Sequence, residues 1–224
     1  MTGAFTLVLE TSTPHASLAS IGRDGQLEQR EFTSDRSHNA QMFPPLEELL
    51  DARGEETIGL VLVGSGPGSY SGTRVGIAAA QGVAIAAVCP AVALPSILAV
   101  ASAEGGAACM AIGDARRGSF WTARMEYSRL RNEPELTDAA GLAVAVFEAL
   151  SAGIPVFSFE DPARFPLPLP LLSQVRLEFP NAQRLWRAWE LSDLATRDSW
   201  MRAAPQPIYL KPPHITPPKR AVRA

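Results

Sequence analysis

The apolar positions of the chain fall into short runs separated by glycine, proline and polar clusters, the punctuation of alternating strands and helices. Phe5 to Glu10 reads as a buried strand and Ala16 to Ile21 as a second, with Thr11-Ser12-Thr13-Pro14 turning between them. Asp24-Gly25 is a hairpin signal, since both residues tolerate the positive φ of a type I′ turn, and it leads into Gln26 to Phe32. The pattern then lengthens. A helix opening at His38 places Met42, Phe43, Leu46, Leu49 and Leu50 on one face and Glu47, Glu48 and Asp51 on the other. Pro44-Pro45 should kink or restart it.

Ile58 to Val63 is an apolar run with three β-branched residues, the pattern of a strand covered on both faces. It breaks into Gly64-Ser65-Gly66-Pro67-Gly68, and from Ser71 or Thr73 the sequence reads as a helix of Ala, Val and Ile interrupted by Arg74 and Gln81. A helix this apolar lies on a sheet with one face and meets protein with the other. The run is well short of the ~20 residues that cross a bilayer. Ala78, Gly82 and Ala86 recur every four residues, a stripe of small side chains that lets another helix approach closely. The plainer alternative packs that stripe on the chain's own sheet.

Strand, glycine turn and helix N-terminus together suggest a phosphate cradle. The standard motifs fail letter by letter. A Walker A loop needs Gly-Lys-Ser/Thr, and no lysine precedes Lys211; the dinucleotide fingerprint lacks its third glycine at Ser69 or Ser71. A tight turn that only packs helix on strand remains the alternative.

Ala91 to Leu94 is a short strand, and Pro95-Ser96 opens a small helix. A second unit begins at Ala107: strand to Ile112, turn from Gly113 to Gly118, strand from Ser119 to Tyr127, echoing the start of the chain. Asp114 in that turn reads first as an Asx-turn residue, and neither it nor Glu10 has a second carboxylate nearby in sequence to hold Mg²⁺. Ala139 to Ala152 is a helix and Ile154 to Phe159 a strand, followed by a proline-rich crossing loop, Phe165 to Pro170, whose large apolar residues want cover. Asn181 caps a helix running through Leu185, Trp186, Trp189 and Leu194, with the tryptophans in the core. From Pro205 the proline-rich tail leads to Lys219, Arg220 and Arg223.

Composition narrows the function. With 224 residues, 46% of them hydrophobic, the chain buries a good core; its net charge of −3 gives no overall footprint for nucleic acid. Cys89 and Cys109 sit in apolar sequence as core thiols, and the three histidines are scattered, so no metal spacing exists. The N-terminus has no apolar signal core, which predicts a cytoplasmic location.

Gly66-Pro67-Gly68-Ser69-Tyr70-Ser71-Gly72-Thr73-Arg74-Val75-Gly76, followed by Ala80-Gln81-Gly82-Val83-Ala84, resembles the signature of the bacterial TsaB (YeaZ) proteins. These are short relatives of the TsaD ATPases in the actin-like, Hsp70-like (ASKHA) superfamily. Leu9-Glu10-Thr11-Ser12-Thr13, Gly113-Asp114-Ala115-Arg116-Arg117-Gly118 and Pro207-Ile208-Tyr209-Leu210-Lys211 agree with it, and residues 155–204 match least.

The resemblance implies a duplicated α/β fold of two lobes: residues 1–106 with the glycine motif, a reduced second lobe at 107–204, and a tail at 205–224. It implies a non-catalytic partner and activating subunit of a TsaD-type ATPase, which with a TsaE-type ATPase places the threonylcarbamoyl group on an adenosine of tRNA. ATP and metal are expected on the TsaD-type partner, with no cofactor bound tightly here. The isolated chain is expected to form a homodimer and to meet tRNA only through the complex. Thr11, Ser12, Gly66 and Gly68 stand at the phosphate-turn positions, although these hydroxyls serve equally well to satisfy the turn's own backbone. His38, Met42 and Leu46 on one helix and Arg74, Ala78, Gly82 and Ile85 on the next are the expected partner contacts. Catalytic relatives carry a His-x-x-x-His pair after the strand matching Ala91 to Leu94; here Leu94 to Ala101 holds no histidine. Proteolysis is rejected, since no His-Glu-x-x-His is present. The competing class is a stand-alone small kinase or phosphohydrolase on the same fold.

Overall fold

The computed structural model describes residues 4–33 and 38–210; the side chains of residues 38 and 39 fall outside the description. The first sheet holds β1 (Ala4–Glu10), β2 (His15–Ile21), β3 (Leu27–Thr33), β4 (Thr57–Gly64) and β5 (Ala91–Leu94) in the order β3-β2-β1-β4-β5. The first three strands form an antiparallel meander, and β4 and β5 add parallel to β1. Alternate residues of β1 go to opposite cores, Phe5, Leu7 and Leu9 to one and Val8 to the other. β4 divides likewise, Val61 and Val63 against Leu62, so the uniformly apolar run is indeed covered on both faces.

The first face is closed by α1 (His38–Ala52) and α2 (Tyr70–Ala87), and α5 (Ala182–Leu191) closes the second face through Ala182, Leu185 and Trp189. That helix, expected in the second lobe, thus packs on the first sheet. Asn181 caps it, and its first free N–H groups donate to Ser17 Oγ (Ala182 N, 2.8 Å) and Gln29 Oε1 (Gln183 N, 3.0 Å) across the sheet. It stops at Ser192, and α6 (Leu194–Arg202) restarts under an Asp193 cap, so the expected single helix through Leu194 is two.

The second sheet holds β6 (Cys109–Asp114), β7 (Phe120–Glu126), β8 (Arg129–Leu130), β10 (Val156–Ser158) and β11 (Val175–Leu177), with β9 (Glu135–Thr137) pairing β7. Its order, β8-β7-β6-β10-β11, repeats that of the first sheet with shorter strands. The echo in the letters is therefore a structural duplication. α3 (Ala139–Ser151) covers one face with Leu142, Val146 and Ala149, joined by Phe165 and Leu167 of the crossing loop. Leu169, 78% exposed, opens the short α4 (Leu169–Leu172) instead of finding cover.

Local chemistry corrects three further expectations. In the first hairpin only Gly25 takes positive φ (78°), with Gly25 N donating to Gly22 O, so the turn is not type I′. α1 does not restart at Pro44-Pro45 but continues through them as one helix. Its Phe43 points outward, 56% exposed, because Met42, Leu46 and Leu49 already fill the core side.

Candidate functional site

The glycine turn between β4 and α2 is held from all sides. Ser65 N donates to Leu94 O, Ser96 N to Gly66 O, and Gly66 N to Ser96 Oγ, at 2.7 to 2.9 Å. Ser69 caps α2, its Oγ accepting from Gly72 N at 3.2 Å; the expected caps, Ser71 and Thr73, lie inside the helix. Two glycines are required by close approach. A Cβ on Gly64 would collide with the Glu10 carboxyl, and one on Gly68 would collide with the Ser12 carbonyl.

The strand-turn β1–β2 is equally committed. Thr11 Oγ1 donates to Gly72 O at 2.9 Å, Thr13 Oγ1 to His15 O at 3.0 Å, and Ser12 N to Glu10 Oε1 at 2.8 Å. Of the proposed phosphate-turn residues, Thr11, Ser12 and Gly66 are thus buried with their backbone or hydroxyl groups engaged within the fold, and Gly68 abuts Ser12. Glu10 Oε2, Ser12 Oγ and Thr73 Oγ1 are buried without a partner. Burial pushes the Glu10 carboxyl above its ordinary value of 4.5, against the backbone hydrogen bond from Ser12 that favours the charged form.

Between the two strand-turns lies a cleft of about 750 Å³, walled by Ser12, Tyr70, Trp121, Phe159 and Phe179. Asp114 makes the expected Asx turn, accepting Arg116 N at 2.6 Å. It is not without a second carboxylate, as the sequence suggested: Glu160, brought in from the end of β10, accepts Asp114 N at 2.8 Å. Arg116 bridges to both acids, and Arg164 reaches Asp114 at 4.0 Å. Two acids answered by two arginines make an ion cluster at the cleft. Among the described residues no three His, Cys, Asp or Glu side chains gather as a metal set, and no helix is long and apolar enough to cross a membrane.

The outer face of α2 contrasts with this closed interior. Ala78, Gly82 and Ala86 are exposed, Ile85 is 79% exposed, and a Cβ on Gly82 would meet nothing within 4 Å. The alternative that put this stripe on the chain's own sheet is excluded; Ile77, Ala80 and Ala84 take that side. At its end Val88 is 92% exposed and left-handed (φ 54°), an uncommon conformation for a β-branched residue. Phe43 of α1 adds a large apolar side chain, while Met42 (1% exposed) and Leu46 (5%), expected as partner contacts, are core residues and are corrected as such. The side chain of His38 lies outside the described residues. Arg74 is exposed, its guanidinium 3.8 Å from the Tyr70 ring centre and bonded to Tyr209 Oη.

Two sheets of one topology, each entered through a strand-turn-strand unit and facing each other across a cleft, define a duplicated α/β protein of the actin-like class. A protein-family model described as "TsaD: tRNA N6-adenosine threonylcarbamoyltransferase" matches residues 31–183. The chain therefore belongs to this family, as one of its TsaB/YeaZ members. It is 30% identical over 132 residues to the tRNA threonylcarbamoyladenosine biosynthesis protein TsaB of Escherichia coli, 56% of each chain. It is 33% identical over 99 residues to that of Haemophilus influenzae, 43% of this chain and 42% of the relative. The chain thus matches about half the length of these curated relatives. YeaZ from Pseudomonas aeruginosa superposes with a TM-score of 0.66 at 23% identity, covering 92% of this chain and 100% of that one, a likeness of fold.

Proposed function

We propose that this protein is a non-catalytic partner and activating subunit of a TsaD-type ATPase in the threonylcarbamoyladenosine modification of tRNA. The observation that carries the reading is the exposed small-residue stripe Ala78, Gly82 and Ala86 on an otherwise apolar helix, with the exposed Ile85 next to Ala86 and Phe43 exposed on α1. Unpaired apolar surface of this kind marks a protein contact. The occupant is the TsaD-type subunit, or a second copy of the chain when it is isolated. The partner supplies ATP, metal and chemistry, a TsaE-type ATPase joins the assembly, and tRNA is met through the complex in the cytoplasm. The internally bonded turns support a subunit without its own phosphate chemistry.

A stand-alone kinase or phosphohydrolase is favoured by one observation, the Asp114–Glu160 pair in the cleft, and opposed by the arginines that neutralise it. A pull-down with the TsaD homologue of the same cell, beside a nucleotide titration of the isolated chain, separates the two. Retained partner with millimolar or no nucleotide binding supports the subunit. Micromolar binding with turnover and no partner overturns it.

A further inference from the structure

We propose that the segment Pro205–Leu210 is a latch on the α2 face, and that the partner frees it by presenting a carboxylate to Arg74. The inference rests on the reading of α2 as the partner surface and adds the partner's chemistry and its consequence for the cleft. The segment runs back along α2. Gln81 Nε2 donates to Pro205 O at 3.4 Å, and Arg74 Nε and Nη2 donate to Tyr209 Oη at 3.2 and 2.8 Å. Ile208 N donates to Ser65 O in the glycine turn at 2.9 Å, and Leu210 packs against the core of the second sheet at the mouth of the cleft. One strap therefore joins the exposed helix face to the space between the lobes.

Arg74 is the knot, and it is held by a neutral group. Among the described residues no carboxylate pairs with it; its acceptor is a phenol that is itself half exposed. A carboxylate accepts from a guanidinium through two parallel bonds and adds its own charge, where the phenol offers one neutral oxygen. An acidic side chain on a partner seated along α2 thus displaces Tyr209. Among the described residues the strap then keeps its backbone bond at Ile208, the long Gln81 contact and the packing of Leu210. Its release uncovers the space of about 350 Å³ between Ile208, Tyr209 and the glycine turn, and with it one wall of the cleft.

Hydrogen exchange of the full chain, alone and with the purified TsaD homologue of the same cell, tests this. Partner addition should slow exchange across residues 78–86 and speed it at Ile208 by about tenfold, the scale expected for losing one charge-assisted tie. Tyr209→Phe, which keeps the ring and loses the acceptor, should show the faster Ile208 exchange without partner. The latch is overturned if Tyr209→Phe exchanges like the wild type, or if the partner slows residues 78–86 while Ile208 stays slow. A partner that binds without slowing 78–86 refutes the α2 reading itself, and the latch with it.

Discussion

Ser69 donates its backbone N–H to the carbonyl of Ser12 across 2.6 Å, binding the glycine turn onto the strand-turn that opens the chain. The bond brings the two segments together so closely that Gly68 faces Ser12 with no room for a side chain. This bond and the one from Thr11 Oγ1 to Gly72 O brace the two turns against each other, which is the physical reason to read this region as architecture.

Gly68→Ala should therefore destabilise the protein. Backbone contact leaves little to yield, and overpacking of this kind costs about 1 to 3 kcal/mol. Thermal melts should show a drop of several degrees, at roughly 2 to 4 °C per kcal/mol for a chain of this size. An unchanged midpoint would mean that the two turns do not meet as described.

Glu10 gives a pH signature. Its carboxyl is raised by burial, so its contribution to stability is complete below the ordinary value of 4.5 and is lost as pH rises through the higher folded value. Glu10→Gln, which cannot ionise, should melt higher than the wild type near pH 8, and the gap should close toward pH 4. Melts of both proteins across that range check it. A gap that widens on acidification would show that the buried carboxylate is stabilised in its charged form.

Val88 ends α2 in the left-handed conformation with its side chain in solvent. Val88→Gly should stabilise the isolated chain by about 1 kcal/mol, since glycine adopts this conformation without a steric penalty. Urea denaturation reads the change directly. If Val88 belongs to the partner contact, the same variant should bind more weakly despite its greater stability.

Local pattern made part of this molecule legible. β1, β4 and β5 are bounded by glycine, proline or polar turns, and the apolar run of β4 predicted that both of its faces are covered. The α2 helix was visible for the same reason, but its cap was not: Ser69, Ser71 and Thr73 are equivalent as letters, and only the bond from Gly72 N distinguishes Ser69. Phe43 and Met42 are neighbours on α1, so periodicity alone put both inward; the core has room for Met42. Contacts between distant segments left no local trace. Glu160 meets Asp114 from 46 positions away, and Tyr209 meets Arg74 from 135. The docking of α5 on the first sheet was hidden likewise, since its apolar face suits either sheet.

The outward stripe of α2 carries the functional account, and Gly82→Leu tests it most directly. A Cβ there meets nothing within 4 Å, and replacing a mid-helix glycine should add roughly 0.5 to 1 kcal/mol of stability. Melts of the dilute isolated chain are read beside a pull-down with the TsaD homologue of the same cell. The account predicts an unchanged or slightly raised midpoint together with lost partner binding; a strongly lowered midpoint with binding retained would contradict it.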